Sequence, residues 1–284
     1  DLELPNRIVV SPMGQYSAVD GCATEWHLAH LGHLAFSGAG LLITEATAVE
    51  PNGRLSLGDL GLYSDDCEAA LRRVIEFCRT SGGSPLGIQL YHGGRKSSIT
   101  TAWEGQKAIS IENGGWTNYS SSAIAYPGRQ QPTPLDRAGI EKVVSAFGQA
   151  ARRADNVGLD LIEIHAAHGY LIHNFLSPLV NDRDDDYGGS IANRMRLLLE
   201  IFDEVRGSFP RHKPIGVRIS ATDWAEGGWA LDDSVTLANA LKERGCDYIT
   251  ASSGGSVANQ RLKVEPGYQV PFAETIRRET GLTT

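Results

Sequence analysis

The chain has 284 residues, enough for one large barrel or two ordinary domains, and its 41% hydrophobic content with 32 glycines excludes a disordered or fibrous protein. A formal net charge of −8, with basic residues scattered or paired with acids, excludes a phosphate-tracking surface, so nucleic acid is not an expected partner. No apolar run approaches the roughly 18 residues a membrane helix needs, and the opening DLELPNRIVV lacks a signal-peptide pattern, so a cytoplasmic setting without membrane contact is expected.

Short β-branched runs alternate with longer stretches whose apolar residues recur at three and four spacings, the pattern of βα units around a parallel sheet. A first strand is expected over residues 7–12, then a helix capped by Thr24, a strand over 40–47 and a helix capped by Ser64. A third strand spans 86–91, and a long irregular stretch over about 93–134, rich in Gly, Ser and Pro, suits a loop over one barrel mouth. Ile140, Val143, Val144, Phe147 and Ala151 make a core-facing helix stripe that closes before Gly158. Strands over 159–165, 215–220 and 248–252 follow, with helices capped by Ser190 and by Asp232 or Asp233, the last reaching Gly245. No linker divides the chain and no GxGxxG follows the first strand, which favours a single α/β domain, a TIM (β/α)8 barrel over residues 1–284, above a dinucleotide-binding doubly wound sheet. Cys22, Cys67, Cys78 and Cys246 are dispersed without a CxxC pair, so they read as reduced structural thiols and no metal is expected.

In a parallel barrel alternate side chains face the helices and the lumen, and functional residues sit at the C-terminal strand ends. With Ile88 and Leu90 outward, Gln89 turns inward; with Ile162 and Ile164 outward, Glu163 and His165 do the same. Outward Ile215, Val217 and Ile219 put Arg218 inside, and outward Leu41 and Ile43 leave small Ala46 on the lumen side. Gln, His and Arg therefore converge on one mouth. Glu163 and Arg218 can be read as an interior ion pair that only fills the barrel, but that does not account for Gln89 or for His165 and His168 followed by Gly169 and Tyr170.

The run I-E-I-H-A-A-H-G-Y-L-I-H-N-F-L-S-P (162–178) with N-D-R-D-D-D-Y-G-G-S (181–190) resembles the signature of the Old Yellow Enzyme family. S-P-M (11–13), T-E-A-T-A-V (44–49), I-Q-L with H-G-G-R-K (88–96) and V-R-I-S (217–220) are similar in order and spacing, nearest to its thermophilic-like, class III group. The resemblance implies a non-covalent FMN held by Ser11, Pro12, Met13, Gly14, Ala46, Gln89 and Arg218, with NADPH or NADH as reductant. It implies an ene-reductase in which His165 and His168 bind the carbonyl of an enone or enal, Tyr170 donates the proton and Tyr16 contacts the substrate. Tyr16 can also be read as a rim aromatic that merely packs. A dimer-based homo-oligomer is implied as well.

Two departures stand out. Gly14 occupies a position that is usually cysteine in this group, and only six strand candidates precede Thr284 where a complete barrel has eight. The two remaining strand–helix units, with the FMN-phosphate contacts, are expected in residues omitted from the sequence, and the start is similarly abrupt. The alternatives are a truncated, non-catalytic barrel that acts by binding, another flavin barrel such as an α-hydroxy-acid oxidase, and a metal-dependent TIM-barrel hydrolase using His165 and His168 with an Asp or Glu.

Overall fold

The computed structural model describes residues 2–284. Its strands are β1 (Val9–Val10), β2 (Leu41–Ala48), β3 (Leu86–Tyr91), the short β4 (Tyr119–Ser120) and β5 (Thr133–Pro134), β6 (Leu161–Ala166), β7 (Ile215–Ser220) and β8 (Tyr248–Ser252). The helices are α1 (Glu25–Ala35), α2 (Asp65–Ser81), α3 (Arg137–Asn156), α4 (Leu171–Leu176), α5 (Ile191–Ser208), α6 (Leu231–Glu243) and α7 (Val270–Thr280). Six strands form one sheet in the order β1-β2-β3-β6-β7-β8, while β4 and β5 pair with each other. Every pairing in the large sheet is parallel, so this is an α/β fold of TIM-barrel type, a curled sheet with its helices outside. Beside β8, Thr283 makes a parallel bridge to Tyr248 and its carbonyl accepts the Ile249 N–H at 2.9 Å, so residues 282–284 take the next place in the sheet.

Local chemistry explains most boundaries. Ser64 and Ser190 accept the N–H groups of Cys67 and Asn193, capping α2 and α5, and Asp136 caps α3 through Gly139. Thr24 starts α1, but its N–H is taken by His27 Nδ1 at 2.9 Å while its own hydroxyl bonds Ser17. The expected aspartate cap of α6 is corrected: Ala230 is the cap residue, and Asp233 reaches back to accept its N–H at 3.0 Å. β1 is shorter than residues 7–12 because the Asn6 side chain captures the Ile8 N–H and Pro12 has none to offer.

Ile88, Leu90, Ile162, Ile164, Ile215, Val217 and Ile219 share one buried core with the α3 stripe of Ile140, Val143, Phe147 and Ala151. The outward set is as the alternation requires, with β2 as the exception. There Leu42 joins the outer core, while Leu41 and Ile43 pack with Leu161 and Tyr248 inside the sheet, opposite to expectation. The register shows why Ala46 still faces the lumen. Thr44 pairs with Ile88 and Ala46 with Gln89, leaving Glu45 as an extra residue that resets the parity.

Phe147 is completely buried in the outer core. Phe147→Ala is expected to lower stability by about 3–5 kcal/mol, read as a shift of the urea-unfolding midpoint.

Candidate active site

A cavity of about 160 Å³ opens at the C-terminal ends of the strands, where Pro12, Gly14, Tyr16, Ala46, Gln89, His165, His168, Tyr170 and Arg218 meet. Beneath it lies an apolar chamber of about 510 Å³ that shares Pro12 and Arg218 and is walled by Leu41, Ile43, Leu161 and Tyr248. Two of the residues expected here stand elsewhere. Ser11 lines the lower chamber, and Met13 is 53% exposed, beside His30 and Leu34 of α1. Glu45, Leu55, Asp59 and Tyr91 line the cavity without having been anticipated. The alternation rule, carried two residues past Gln89, would have found Tyr91; the bulge hid Glu45, and the segment after β2 has no period to read.

Glu163 is 1% exposed, and its two carboxylate oxygens accept from Gln89 Nε2 at 2.7 Å and Thr250 Oγ1 at 2.6 Å. They take up these donors rather than a direct ion pair with Arg218, whose charge nonetheless favours the carboxylate against its burial. The Arg218 Nε is buried with no hydrogen-bond partner. A buried donor left this way is costly unless a bound group answers it.

The histidines stand at the end of β6. His165 Nδ1 accepts the Ala167 N–H at 3.2 Å, which puts the proton of the neutral ring on Nε2, and Nε2 meets His168 Nδ1 at 3.2 Å. His168 Nε2 lies 2.6 Å from Ser252 Oγ. His168 has a φ of +59°, a left-handed conformation that costs a non-glycine residue energy and persists only where its surroundings enforce it. Three groups do so: its N–H donates to Ser220 Oγ at 2.9 Å, its carbonyl accepts Lys96 Nζ at 2.8 Å, and a Cβ on Gly255 would lie 2.6 Å from its Cα. Burial, followed by the charges of Arg218, His173 and Lys96, pushes His168 down to about 3, and burial takes His165 well below its ordinary range. Both rings are therefore neutral at pH 7.

Tyr170 stands edge-on to His165, ring centres 4.9 Å apart, and to Tyr91 at 5.5 Å. Burial, then Asp59 and Tyr16, push its phenol up. Asp59 is held by the Leu55 N–H at 3.0 Å, the Ser56 hydroxyl at 2.5 Å and the Tyr91 hydroxyl. Tyr16 has a φ of +52° and an edge-to-face contact with Trp103 at 5.9 Å, so it both lines the cavity and packs on its rim. Among the described residues no group of three His, Cys, Asp or Glu side chains is placed to hold a metal. No described helix is long and apolar enough to cross a membrane.

This barrel and its mouth define a class, the α/β-barrel oxidoreductases. The chain belongs to the NADH:flavin oxidoreductase / NADH oxidase family, the Old Yellow Enzyme family, whose sequence profile matches residues 1–278. It is 45% identical to an NADPH dehydrogenase of Listeria welshimeri over 287 residues, covering all of this chain and 79% of that one. An NADH:flavin oxidoreductase of Gibberella zeae is 42% identical over 294 residues, covering 98% and 71%. Among solved structures, morphinone reductase superposes with a TM-score of 0.81 at 28% identity, over 99% of this chain and 75% of that one. An Old Yellow Enzyme homologue from Zymomonas mobilis, at 24% identity and a TM-score of 0.76 over 96% and 75%, shares the fold. The chain thus spans about three quarters of the length of the proteins it matches. It is an oxidoreductase that uses FMN and a reduced nicotinamide. The residues present suit a flavin: the orphaned Arg218 donor, the Gln89 amide and the space left by Gly14 and Ala46 offer charge, hydrogen bonding and room on one wall.

The neutral histidines give a pH test. Below about 6.5 the unfolded chain binds a proton at His168 that the folded chain refuses until about 3, so stability present at neutral pH is lost as pH falls through that window. Urea unfolding between pH 6 and 4 is expected to show His168→Gln losing stability less steeply than the wild type, by about 1.4 kcal/mol per pH unit at most.

Proposed function

We propose that the protein is an ene-reductase, reducing the C=C bond of α,β-unsaturated carbonyl compounds, enones and enals, with NADPH or NADH as electron source. The observation that supports this best is the pair of neutral ring nitrogens, His165 Nε2 and His168 Nδ1, 3.2 Å apart in the cavity wall. With a proton on each, two donors that close converge on one acceptor atom, and a carbonyl oxygen is such an atom. When bound, FMN supplies the hydride that the nicotinamide provides. Pro12, Gly14, Ala46, Gln89 and Arg218 would hold it, with Ser11 on the chamber side and Met13 between Pro12 and Gly14 in the same segment.

The histidines bind the carbonyl oxygen and stabilise the negative charge that grows there as the β-carbon is reduced, which favours the transition state over the ground state. Tyr170 holds the proton for the α-carbon. Its raised pKa keeps the hydroxyl loaded at working pH, and an enolate carbon is basic enough to take a proton from so weak an acid. Tyr16, with Trp103 against its edge, borders the substrate on the open side.

The purified FMN-loaded protein is expected to bleach with NADPH under anaerobic conditions and to regain its flavin absorbance with cyclohexenone. Tyr170→Phe should bleach normally and recover at least about tenfold more slowly. A flavin that bleaches and never responds to an enone refutes the substrate class. At Gly14 an added Cβ would meet the Tyr16 ring at 3.7 Å, an ordinary contact, so Gly14→Cys should fold, narrow the mouth and shift the flavin potential. An anaerobic redox titration giving indistinguishable potentials for the two proteins rejects that role for Gly14.

A further inference from the structure

The clamp contains a contradiction that its own hydrogen bonds expose. His165 Nδ1 is occupied by the Ala167 N–H, so its proton sits on Nε2 and points at His168 Nδ1. His168 Nδ1 is then an acceptor, and its own proton must be on Nε2, directed at Ser252 Oγ. In that arrangement the pair bonds to itself and offers a carbonyl one donor together with one lone pair. Two donors to a single oxygen require the His168 proton on Nδ1, with Nε2 turned into an acceptor.

Ser252 Oγ is the side-chain partner 2.6 Å from Nε2, and a hydroxyl can serve either state, accepting from Nε2–H or donating to a bare Nε2. Its surroundings permit both. Ser252 ends β8 and is 5% exposed, and Gln269 Nε2 at 3.4 Å can donate to its oxygen and leave the hydroxyl hydrogen free for His168. The backbone of His168 is already held by Ser220 and Lys96 and its ring lies between His165 and Ser252, so the change needs protons to move and no heavy atom to travel far.

We propose that Ser252 is a positioning residue that selects the tautomer of His168, allowing the two histidines to pass from bonding each other to bonding one substrate oxygen together. The inference rests on reading that pair as the carbonyl clamp. A carboxylate in this place could only accept and would lock the proton on Nε2; an alanine leaves Nε2 buried without a partner in either state.

The test uses the FMN-loaded protein. Ser252→Ala should raise the KM for cyclohexenone about tenfold with a smaller change in kcat, and Ser252→Thr, which keeps a hydroxyl at that place, should recover most of the loss. In histidine-15N-labelled wild type, without reductant, the pyrrole-type signal of His168 should move from Nε2 to Nδ1 on adding cyclohexenone. A His168 that keeps its proton on Nε2 with the enone bound overturns the proposal, as does a Ser252→Ala KM within twofold of wild type. His168→Ala separates the two levels of argument. If it raises KM and Ser252→Ala does not, the tautomer inference alone falls; if His168→Ala leaves KM unchanged, the clamp falls and the inference with it.

Discussion

Taking a charged group out of water costs several kcal/mol unless hydrogen-bond partners replace its hydration, and the inside of this sheet has to meet that condition repeatedly. Glu163 is answered by Gln89 and Thr250, Glu45 by His27 at 3.1 Å and the Gln15 N–H at 2.9 Å, and Asp59 by Leu55, Ser56 and Tyr91. Each answer ties a different segment to the barrel mouth. The Glu45 contacts hold Gln15, between Gly14 and Tyr16, together with His27 of α1, and the Asp59 contacts anchor the segment after β2 to the last residue of β3. The binding wall is therefore a consequence of satisfying buried carboxyls. Arg218, by contrast, has an Nε that the protein leaves unanswered, and it stands in the cavity wall where a bound cofactor can meet it.

The same condition governs the histidines, with the opposite outcome. Burial leads, and Arg218 and His173 press against a positive charge on either ring, with Lys96 adding to them at His168, so both stay neutral. A neutral imidazole has one donor and one acceptor, and its usefulness depends on which nitrogen holds the proton. Backbone around His168 is correspondingly over-determined. Lys96 Nζ joins its carbonyl to that of Gly255 at 2.6 Å, linking the turn after β3 to those after β6 and β8. A strained φ held from three sides gives up little entropy when a ligand arrives.

How far the sequence could be read follows from where period-two alternation applies. Strands 86–91, 215–220 and 248–252 agree with their observed limits, and the inward placement of Gln89, His165 and Arg218 came from counting alone. Counting failed at β2, where one bulged residue inverts the face of everything before it: Leu41 and Ile43 looked like helix-facing residues and instead wall the chamber. Bulges have no dependable sequence mark, and Thr-Glu-Ala looks regular. Asp59 and Ser252 were illegible for another reason. Their importance lies in contacts with Tyr91 and His168, 32 and 84 residues distant in the chain, and neither belongs to a repeating pattern. The roles of His168 and Tyr170 were legible only through family resemblance, since both lie past the end of β6, where alternation stops.

The proton economy of the mouth ties these features together. Burial, then the neighbouring Asp59 and Tyr16, disfavour the phenolate of Tyr170. Opposing them, Arg218 lowers the phenol's pKa, and Lys96 lies 5.8 Å from the ring centre, its own pKa brought down to about 7 by burial. An acid this weak would be a poor catalyst if it had to protonate an oxygen early in a reaction. It suits a late step, after the histidine donors have gathered negative charge onto the carbonyl and made the α-carbon the strongest base in the cavity. The order of events is thus set by two unlike devices on adjacent residues: neutral donors that act while charge develops, and a reluctant phenol that acts only once it has.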